Sequence, residues 1–304
     1  MKKIALVTDS ESLPIDYDMT LLFDACHQLG MQPVVCHWNN NQVDWSVFDI
    51  VIPRSTWTYV DHCNEFLSWC NHVTATSVLL NPVEVIHWNV NKNYLQDLEY
   101  NQVPIVPSVF SHIGDDAQIL LNRFYDLHGQ KQEIVVKPAL GAYSKNVRRF
   151  SAAQGEQALK HINQLIEEDS SVIVQPYFKS IDIYGETNLI YFDGEYSHSI
   201  KKEALLMADG RVKVPHQELR KARLASEQEC EVASAALNAI KAKFSLDHHL
   251  LYARIDLIHD DEQQPRILEL ELMEPSLSLP FTDTGAKTFA TAIARRLQLQ
   301  TNLR

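Results

Sequence analysis

The stretch Leu251-Tyr-Ala-Arg-Ile-Asp-Leu-Ile258, followed after a polar segment by Arg266-Ile-Leu-Glu-Leu-Glu-Leu-Met-Glu-Pro-Ser276, is the most informative part of the chain. Two apolar runs that flank a short polar segment predict a β-hairpin. Charged residues interrupt both runs at every second position. Because the side chains of a strand point alternately to opposite faces, this spacing predicts that the charges collect on one face.

The expected charged face carries three carboxylates and one guanidinium. Arg254 and Asp256 lie two residues apart in the first strand, and Glu269 and Glu271 lie two apart in the second. The opposite face of the second strand is expected to take Leu268, Leu270 and Leu272. Crowded carboxylates repel one another unless a cation lies between them, and Mg²⁺ prefers such oxygen ligands. The simpler alternative is a solvated strand face with scattered charges.

Composition restricts the class of protein. The chain has 304 residues, enough for one large domain or two to three small ones. Its net charge of -12 disfavours a nucleic-acid partner. The N-terminal apolar run is too short for a signal peptide or a membrane span. Five cysteines without a Cys-x-x-Cys pair favour a reducing, cytoplasmic location over a disulfide framework or a zinc site.

The N-terminal third predicts a parallel sheet. Strand patterns at 4–7, 34–37 and 50–53 alternate with a helical pattern at 19–29. No Gly-x-Gly-x-x-Gly follows the first strand, which disfavours a dinucleotide cofactor. The polar, aromatic segment 54–61 follows the third strand, where ligands of such sheets bind. The alternative is a loop with a surface arginine and a half-buried Trp57.

The middle of the chain contains a candidate phosphate-binding lysine. Residues 78–82 are predicted as a strand and 85–100 as one helix with Lys92 near its middle. Lys137 ends the apolar strand pattern 133–139 and is followed by a loop of small residues. A lysine at the end of a buried strand favours an anionic partner, since burial of an unpaired charge is costly. Alternatively, its ammonium group simply reaches solvent.

The later segments supply further polar positions. A strand pattern at 171–177 ends in Gln-Pro-Tyr, which predicts a hinge, and Asp193-Gly194 predicts the turn of a hairpin at 186–202. The second strand of that hairpin ends at Lys202. Residues 218–244 are expected to be mostly helical, and a closing helix is expected at 286–297.

Taken together, several cations and several acids in this order suit a nucleotide with its magnesium ion. The chain resembles the ATP-grasp superfamily, in its glutathione-synthetase-like branch. Within that branch it is most similar to the O-ureido-D-serine cyclo-ligases of D-cycloserine biosynthesis and their bacterial relatives. The resemblance covers nearly the whole chain and is carried by Arg54-Ser-Thr-Trp, Leu80-Asn-Pro82, Trp88-Asn89 with Lys92, Val135-Val-Lys-Pro138, Val174-Gln-Pro-Tyr177, Gly185-Glu-Thr187, Tyr191-Phe-Asp-Gly194, Ser197-His198, Tyr252-Ala-Arg-Ile-Asp256 and Leu268-Glu-Leu-Glu-Leu272 with Glu274-Pro-Ser276.

The resemblance implies an α/β (α+β) ATP-grasp fold in which two subdomains sandwich the nucleotide. The implied domains are an N-terminal parallel-sheet domain at 1–89, a small lid subdomain at 90–179 and a C-terminal subdomain with the metal site at 180–304. The implied cofactors are ATP and Mg²⁺, with Mn²⁺ as a substitute. The implied partners are a small-molecule carboxylate and an amine acceptor, with no nucleic acid and no membrane, and homodimers are common among similar enzymes.

The resemblance also assigns roles to residues of this chain. Lys92 and Lys137 would contact the ATP phosphates, and the hinge Val174, Gln175, Pro176 and Tyr177 would bind adenine through its backbone. Glu186 would hold the ribose, with Asp182 as second choice. Lys202 and Arg254 would neutralise the transferring phosphoryl group, and Asp256, Glu269 and Glu271 would ligate Mg²⁺. The substrate would meet Arg54, Ser55, Trp57, Glu274 and Ser276.

Two positions depart from the family pattern. The loop at 140–146, the candidate lid, has only Gly141 where these enzymes commonly have several glycines. Glu271 stands where many relatives carry asparagine.

The implied activity is an ATP-dependent carboxylate–amine ligase that forms an acylphosphate and, in the cyclo-ligase variant, closes a ring within one molecule. Two alternatives stay open at this point: a non-catalytic ATP-binding regulatory protein, and a small-molecule phosphotransferase.

Overall fold

The computed structural model describes residues 1–112, 114–141, 144–168, 170–207 and 219–301, with side chains to residue 299. Three β-sheets within these residues form a mixed α/β fold, and helices cover their outer faces. No helix of the described part has both the length and the apolar character needed to cross a bilayer.

The N-terminal sheet is parallel, as predicted. Its strand order is β2-β1-β3, with β1 (Lys3–Thr8), β2 (Gln32–His37) and β3 (Ile50–Ser55). Ile4 and Leu6 of β1 enter a core shared with α1 (Met19–Gln28) and α9 (Gly285–Thr301). Ala5 and Val7 enter a core on the opposite face, shared with α2 (Cys63–Thr76). Both faces are therefore buried, which explains the continuous apolar run in β1.

The second sheet is antiparallel, in the order β4-β7-β5-β6. Its strands are β4 (Val109–Phe110), β5 (Ile134–Pro138), β6 (Arg148–Phe150) and β7 (Val172–Pro176). The helices α5 (Ala117–His128) and α6 (Gly155–Glu167) cover one face. Ile134 and Val136 of β5 face these helices, and alternation turns Val135 and Lys137 to the opposite side.

The third sheet is also antiparallel, in the order β10-β9-β8-β11-β12. Its strands are β8 (Glu186–Phe192), β9 (Glu195–Lys202), β10 (Arg220–Arg223), β11 (Tyr252–His259) and β12 (Pro265–Glu271). The turn between β8 and β9 has positive φ at Asp193 (53°) and Gly194 (83°), as the Asp-Gly pair predicts. A Cβ atom at Gly194 would lie 2.5 Å from His249, so glycine is required there.

Two of the predicted elements are wrong in the region around Lys92. The single helix expected at 85–100 is two helices, α3 (Val83–Asn89) and α4 (Tyr94–Tyr100), and Lys92 lies in the break between them. The backbone N–H of Lys92 donates to the carbonyl of Ala139 at 2.8 Å instead of continuing a helix. The strand expected at 78–82 is limited to a single bridge between Leu79 and Val51.

A third correction concerns the segment 218–244. Residue 218 lies outside the described residues, and the segment begins with strand β10 rather than helix. The helix α8 (Glu227–Lys243) starts only after Ser226. There the Ser226 hydroxyl accepts from the Glu229 backbone N–H, and the Glu229 carboxylate accepts from the Ser226 N–H, a capping box. The short α7 (Ser180–Tyr184) connects the second and third sheets.

The predicted face of β12 is correct except at Leu268. The register pairs Asp256 with Glu269 and Leu257 with Ile267, which leaves Leu268 as the extra residue of a β-bulge. The bulge turns Leu268 to the charged face, while Leu270 and Leu272 pack in the core below.

Each predicted domain contains one of the three sheets, and the domain boundaries themselves stay a prediction. The segment 85–105, which follows the N-terminal sheet, spans the predicted boundary at 89/90. Val85, Leu95, Leu98 and Ile105 pack in the same core as the strands of the third sheet. The break that holds Lys92 is therefore fixed against β11 and β12.

Asn81 joins the N-terminal region to the C-terminal hairpin. Its side chain is fully buried and donates to the carbonyls of Tyr252 (2.8 Å) and Leu272 (2.7 Å). Its amide oxygen accepts from the backbone N–H of Leu251 at 2.8 Å. One side chain thus satisfies three buried backbone groups, which would otherwise lack partners.

Replacing Asn81 with alanine should therefore lower the free energy of unfolding by about 2–4 kcal/mol, because three buried backbone groups lose their partners. Urea-induced unfolding measures this change. Asn101→Ala is the matched control, since the Asn101 side chain is exposed and makes only a local bond to Asp97; it should change stability by less than about 0.5 kcal/mol. An equally small loss of stability for Asn81→Ala would contradict the role assigned to its three buried hydrogen bonds.

Candidate active site

A cavity of about 480 Å³ is lined by residues of the second and third sheets and of the segments that connect the elements, among them Tyr17 and Trp57 of the N-terminal region. Most of the predicted site residues line it, including residues far apart in sequence. They are Trp57, Lys92, Lys137, Gln175, Pro176, Tyr177, Glu186, Lys202, Arg254, Asp256, Glu269, Glu271, Glu274 and Ser276. Four predicted residues, Arg54, Ser55, Val174 and Asp182, do not line it.

The charged face of the hairpin forms one wall. The register places Arg254 opposite Glu271 and Asp256 opposite Glu269. The Arg254 guanidinium donates to both carboxylate oxygens of Asp256, at 2.8 and 2.7 Å, and to Glu271. Burial lowers the pKa of Arg254, but the adjacent carboxylates of Asp256 and Glu271 outweigh it and hold that pKa well above its usual value. Arg254 is therefore charged and neutralises two of the three acids.

Lys92 neutralises the third acid. Its ammonium lies 2.9 Å from Glu269 and donates to the carbonyl of Gly141 at 2.7 Å. It therefore joins β12 to the start of the predicted lid. Residues 142–143 of that lid lie outside the described residues.

Lys137 projects into the same cavity from β5, the position that the alternation of that strand gives it. Burial, which costs the charged form its hydration, and the like charge of Lys92 together lower its pKa to about 8. Glu269 and Glu186 act in the opposite direction. The energetic cost of charging Lys137 would fall if an anion bound beside it.

Lys202 and Glu186 lie opposite each other on β9 and β8. Their charged atoms are 3.1 Å apart, and Asn188 donates to the same Glu186 oxygen at 2.6 Å. Both side chains are largely buried at the wall of the cavity.

The three acids suit a hard divalent cation. Burial and the carboxylates of Asp256 and Glu269 together raise the pKa of Glu271 to about 7, against the opposing effect of Arg254. Crowded oxygen donors of this kind are stabilised by Mg²⁺. Among the described residues, no three acidic, histidine or cysteine side chains already stand in metal-binding geometry. Binding a cation here would require the carboxylates to exchange their present partners, Arg254 and Lys92.

The hinge uses part of its backbone for the second sheet. The N–H of Tyr177 donates to Glu133 at 2.9 Å, and its carbonyl accepts from Gln132 at 2.8 Å. Val174 points into the core with α5 and α6, since it alternates with Gln175. Gln175, Pro176 and Phe178 line the cavity. Of the hinge and the residue after it, Gln175, Pro176, Tyr177 and Phe178 therefore reach the cavity, whereas Val174 does not.

Asp182 lies beside the hinge. Its carboxylate accepts from the Tyr177 hydroxyl at 2.5 Å and is 3.6 Å from Arg149. The Arg149 guanidinium stacks on the Tyr177 ring at 3.5 Å and binds Glu133 at 2.7 Å. Asp182 thus positions the hinge, while Glu186 lies in the cavity wall.

The N-terminal domain meets the hairpin at the other end of the cavity. The Trp57 indole donates to the Glu274 carbonyl at 2.9 Å. Arg54 is buried, donates to the Pro275 carbonyl at 2.6 Å and stacks on Tyr252. Ser55 is buried and donates to Thr8. Arg54 therefore supports the loop after β12 from behind, whereas Ser55 bonds to β1, and neither residue lines the cavity.

Sequence reasoning missed several residues of this cavity. Arg220, Tyr17, Phe178 and the bulge residue Leu268 all line it. The buried Asp18 was also missed; its carboxylate accepts from three backbone N–H groups of the loop after β12, those of Leu277, Ser278 and Leu279. These residues belong to no local charge pattern. Only the two aspartates of the segment 16–18 indicated a polar site in the sequence, and this indication is weak.

Comparison with known proteins identifies the family. Residues 4–81 match the family model of the N-terminal domain of D-cycloserine synthetase DcsG. The chain is 44% identical over 295 residues to the cycloserine biosynthesis protein DcsG of Streptomyces lavendulae, covering 97% of this chain and 99% of that protein. The crystal structure of D-cycloserine synthetase DcsG superposes with a TM-score of 0.92, at 44% identity and with 97% and 99% coverage.

More distant structures share the fold alone. The D-alanine–D-alanine ligase of Bacillus anthracis has a TM-score of 0.68 at 15% identity, covering 100% of this chain and 98% of that one. The ATP-grasp ligase PsnB, solved with a precursor variant, Mg and ADP, has a TM-score of 0.64 at 14% identity, with 97% and 98% coverage. The ATP-grasp fold predicted from the sequence is confirmed. The chain belongs to the family of the D-cycloserine synthetase DcsG and is an ATP-grasp ligase.

Proposed function

We propose that this ligase activates the carboxylate of an amino-acid-derived small molecule with ATP and closes a ring onto a nitrogen of the same molecule. The observation that carries the proposal is the wall of ion pairs around Arg254, in a cavity also reached by Lys92, Lys137 and Lys202. The 44% identity to a cycloserine biosynthesis protein supports a cycloserine-type product and O-ureido-D-serine as the substrate to test first.

The nucleotide would bind where the cations converge. Lys92 and Lys137 would contact its phosphates, and Lys202 and Arg254 would neutralise the phosphoryl group in transfer. Gln175, Pro176 and Phe178 would meet adenine, with Glu186 at the ribose. The pKa of Lys137, lowered to about 8 by burial, supports this assignment because a phosphate would relieve the unfavourable charge.

Asp256, Glu269 and Glu271 would hold Mg²⁺, with Mn²⁺ as a substitute, and the ion would neutralise phosphate charge. Their present partners support a paired exchange: Arg254 and Lys92 would turn to the phosphates as the acids turn to the cation. The total charge of the site would then change little on binding, because a cation and an anionic nucleotide enter together.

The proposed chemistry needs no protein nucleophile. A carboxylate oxygen of the substrate attacks the γ-phosphorus, and the bond to the β-phosphate oxygen breaks to leave ADP and an acylphosphate. A nitrogen of the same substrate then attacks the acyl carbon, loses a proton, and phosphate leaves as the C–N bond forms. Because water would hydrolyse the acylphosphate, the site would have to exclude water during the reaction, and the loop at 140–146 is the candidate lid.

The substrate would occupy the end of the cavity near Trp57, Glu274 and Ser276. Arg54 would act indirectly, because it supports the loop that carries Glu274. Ser55, which bonds to Thr8 of β1, would act only through the position of β3. The proposed domain division at 89/90 and 179/180 puts this end between the N-terminal and C-terminal domains. The proposal further includes a cytoplasmic setting, which the five free cysteines support, and a homodimer.

A phosphate-release assay tests the proposal. The protein would be incubated with ATP and Mg²⁺ alone, with O-ureido-D-serine, with its L-enantiomer, and with unmodified amino acids. Phosphate release that depends on O-ureido-D-serine, together with a cyclic product by mass spectrometry, is the expected result. A phosphorylated product that accumulates without ring closure, or no substrate-dependent release, would contradict the proposal.

Asp256→Asn and Glu269→Gln should each reduce the kcat for phosphate release by more than about 100-fold, since each removes a charged ligand from the site. Both changes keep the side-chain shape. Glu262→Gln, in the exposed turn of the same hairpin, is the matched control and should keep wild-type kcat. Normal turnover by either site variant would be incompatible with these roles.

Glu274 gives a separate, pH-dependent prediction. Burial raises its pKa to about 8 from 4.5 and nearby Glu271 adds repulsion, so the folded protein holds the proton more tightly than the unfolded chain. Its contribution to stability is therefore fully present below about pH 4.5 and is lost as the pH rises through about 8. Glu274→Gln should raise Tm by about 3 °C at pH 8.5, where the native carboxylate is charged.

At pH 5 the same substitution should leave Tm nearly unchanged, because both side chains are then neutral. Thermal melts of wild type, Glu274→Gln and the exposed control Glu262→Gln, recorded without metal or nucleotide at both pH values, make the comparison. Equal Tm changes at pH 5 and pH 8.5 would show that the shifted proton affinity of Glu274 is not the cause.

A further inference from the structure

Arg220 brings a second guanidinium to the substrate end of the cavity. It begins the edge strand β10, opposite Lys202 of β9, and its side chain lines the cavity. No local pattern in the sequence singled it out. Its position depends on the pairing of β10 with β9. The sequence pattern predicts a helix for β10 instead.

Two arginines converge on Ser276. Arg220 donates to the Ser276 hydroxyl at 3.2 Å, and Arg254 donates to the Ser276 carbonyl at 3.2 Å. Burial and the like charge of Arg254 together lower the pKa of Arg220 to about 10, against the opposing charges of Glu271 and Asp256. Arg254 is already paired with Asp256 and Glu271, and Arg220 adds a second guanidinium beside these ion pairs. Its N–H groups and the neighbouring hydroxyls give this end of the cavity several hydrogen-bond donors that an incoming carboxylate could accept from.

Tyr17 completes the group. Its hydroxyl lies 2.6 Å from the Ser276 hydroxyl and accepts from Arg220, whose guanidinium also lies 5.4 Å from the Tyr17 ring. The next residue, Asp18, is buried and binds the backbone N–H groups of Leu277 and Leu279 at 2.6 and 2.7 Å. Tyr17 and Ser276 are therefore held in a fixed relation to each other.

The surroundings separate this group from the nucleotide end. Arg220 bonds to the N-terminal domain through Tyr17 and to the loop after β12 through Ser276, whereas Lys92 and Lys137 belong to the segments around the lid. A planar guanidinium with two hydroxyls matches the geometry of a carboxylate. In the proposed reaction, the attacking carboxylate must lie beside Arg254, and Arg220 shares Ser276 with Arg254.

We propose that Arg220, Tyr17 and Ser276 form the subsite that binds the substrate carboxylate and aligns it for attack on the γ-phosphoryl group. This inference rests on the proposed function. It adds a residue that fixes which part of the substrate is activated: a carboxylate is held, and an amide or ester at the same position is rejected because it lacks the charge.

Calorimetric titration in the presence of a non-hydrolysable ATP analogue and Mg²⁺ tests the subsite without requiring turnover. The probes are O-ureido-D-serine and its carboxamide. Wild type should bind the acid more tightly than the amide, and Arg220→Gln should raise the Kd of the acid about 10- to 100-fold, with no change in the Kd of the ATP analogue. Arg220→Lys should recover part of the affinity, and Tyr17→Phe should weaken acid binding about 3- to 10-fold.

Lys221→Gln is the matched control, since Lys221 is the next residue of β10 and is exposed; it should bind both probes as wild type does. Circular dichroism checks that each variant is folded. If Arg220→Gln does not fold, Tyr17→Phe tests the subsite in its place. Wild type that fails to prefer the acid, or an Arg220→Gln variant that loses affinity for the ATP analogue instead, would overturn the inference. If the acid binds in an Arg220-dependent manner but no phosphate is released with ATP, the subsite is supported and the proposed ligase reaction is contradicted.

Discussion

The pairing of Arg254 with Asp256 and Glu271 is the interaction on which the active site depends. Three acids crowded on one face of a hairpin, at the wall of a cavity, would repel one another and lose part of their hydration without nearby cations. Arg254 supplies one from the same strand, and Lys92 supplies another from the break between α3 and α4. That break is fixed by the core that α3 and α4 share with the third sheet. The fold therefore places Arg254 and Lys92 beside the three acids. A Mg-nucleotide could bind both groups at once, the metal ion at the acids and the phosphates at the cations.

The hairpin was predictable because its information is local. Alternating charges placed Arg254, Asp256, Glu269 and Glu271 on one face, and the register of the structure agrees. Lys137 followed from the same reasoning, since it ends an apolar strand. The one error in the hairpin, Leu268, comes from a bulge that adds a residue to one strand, and periodicity alone does not detect such an insertion.

Positions that depend on distant contacts were not predictable in the same way. Apolar spacing across 85–100 is compatible with one helix, yet the Lys92 backbone bonds to Ala139 and ends it. Arg220 reaches the cavity only because β10 pairs with β9 at the edge of the third sheet. Arg54 shows the opposite effect. Its sequence motif predicted a contact with the substrate, but its side chain is buried behind the loop at Pro275. The resemblance supplied the fold and the order of the charges, whereas long-range packing decides which side chains reach the cavity.

The central claim is that the ion pairs of the hairpin are exchanged for a magnesium ion and a nucleotide together. Calorimetric titration of ATP, once with excess Mg²⁺ and once with EDTA, tests it most directly. Because the acids hold Arg254 and Lys92 until a cation replaces them, the account predicts that Mg²⁺ strengthens ATP binding at least about 10-fold, and that Asp256→Asn removes most of this difference. Equal affinity for ATP with and without Mg²⁺ would contradict it.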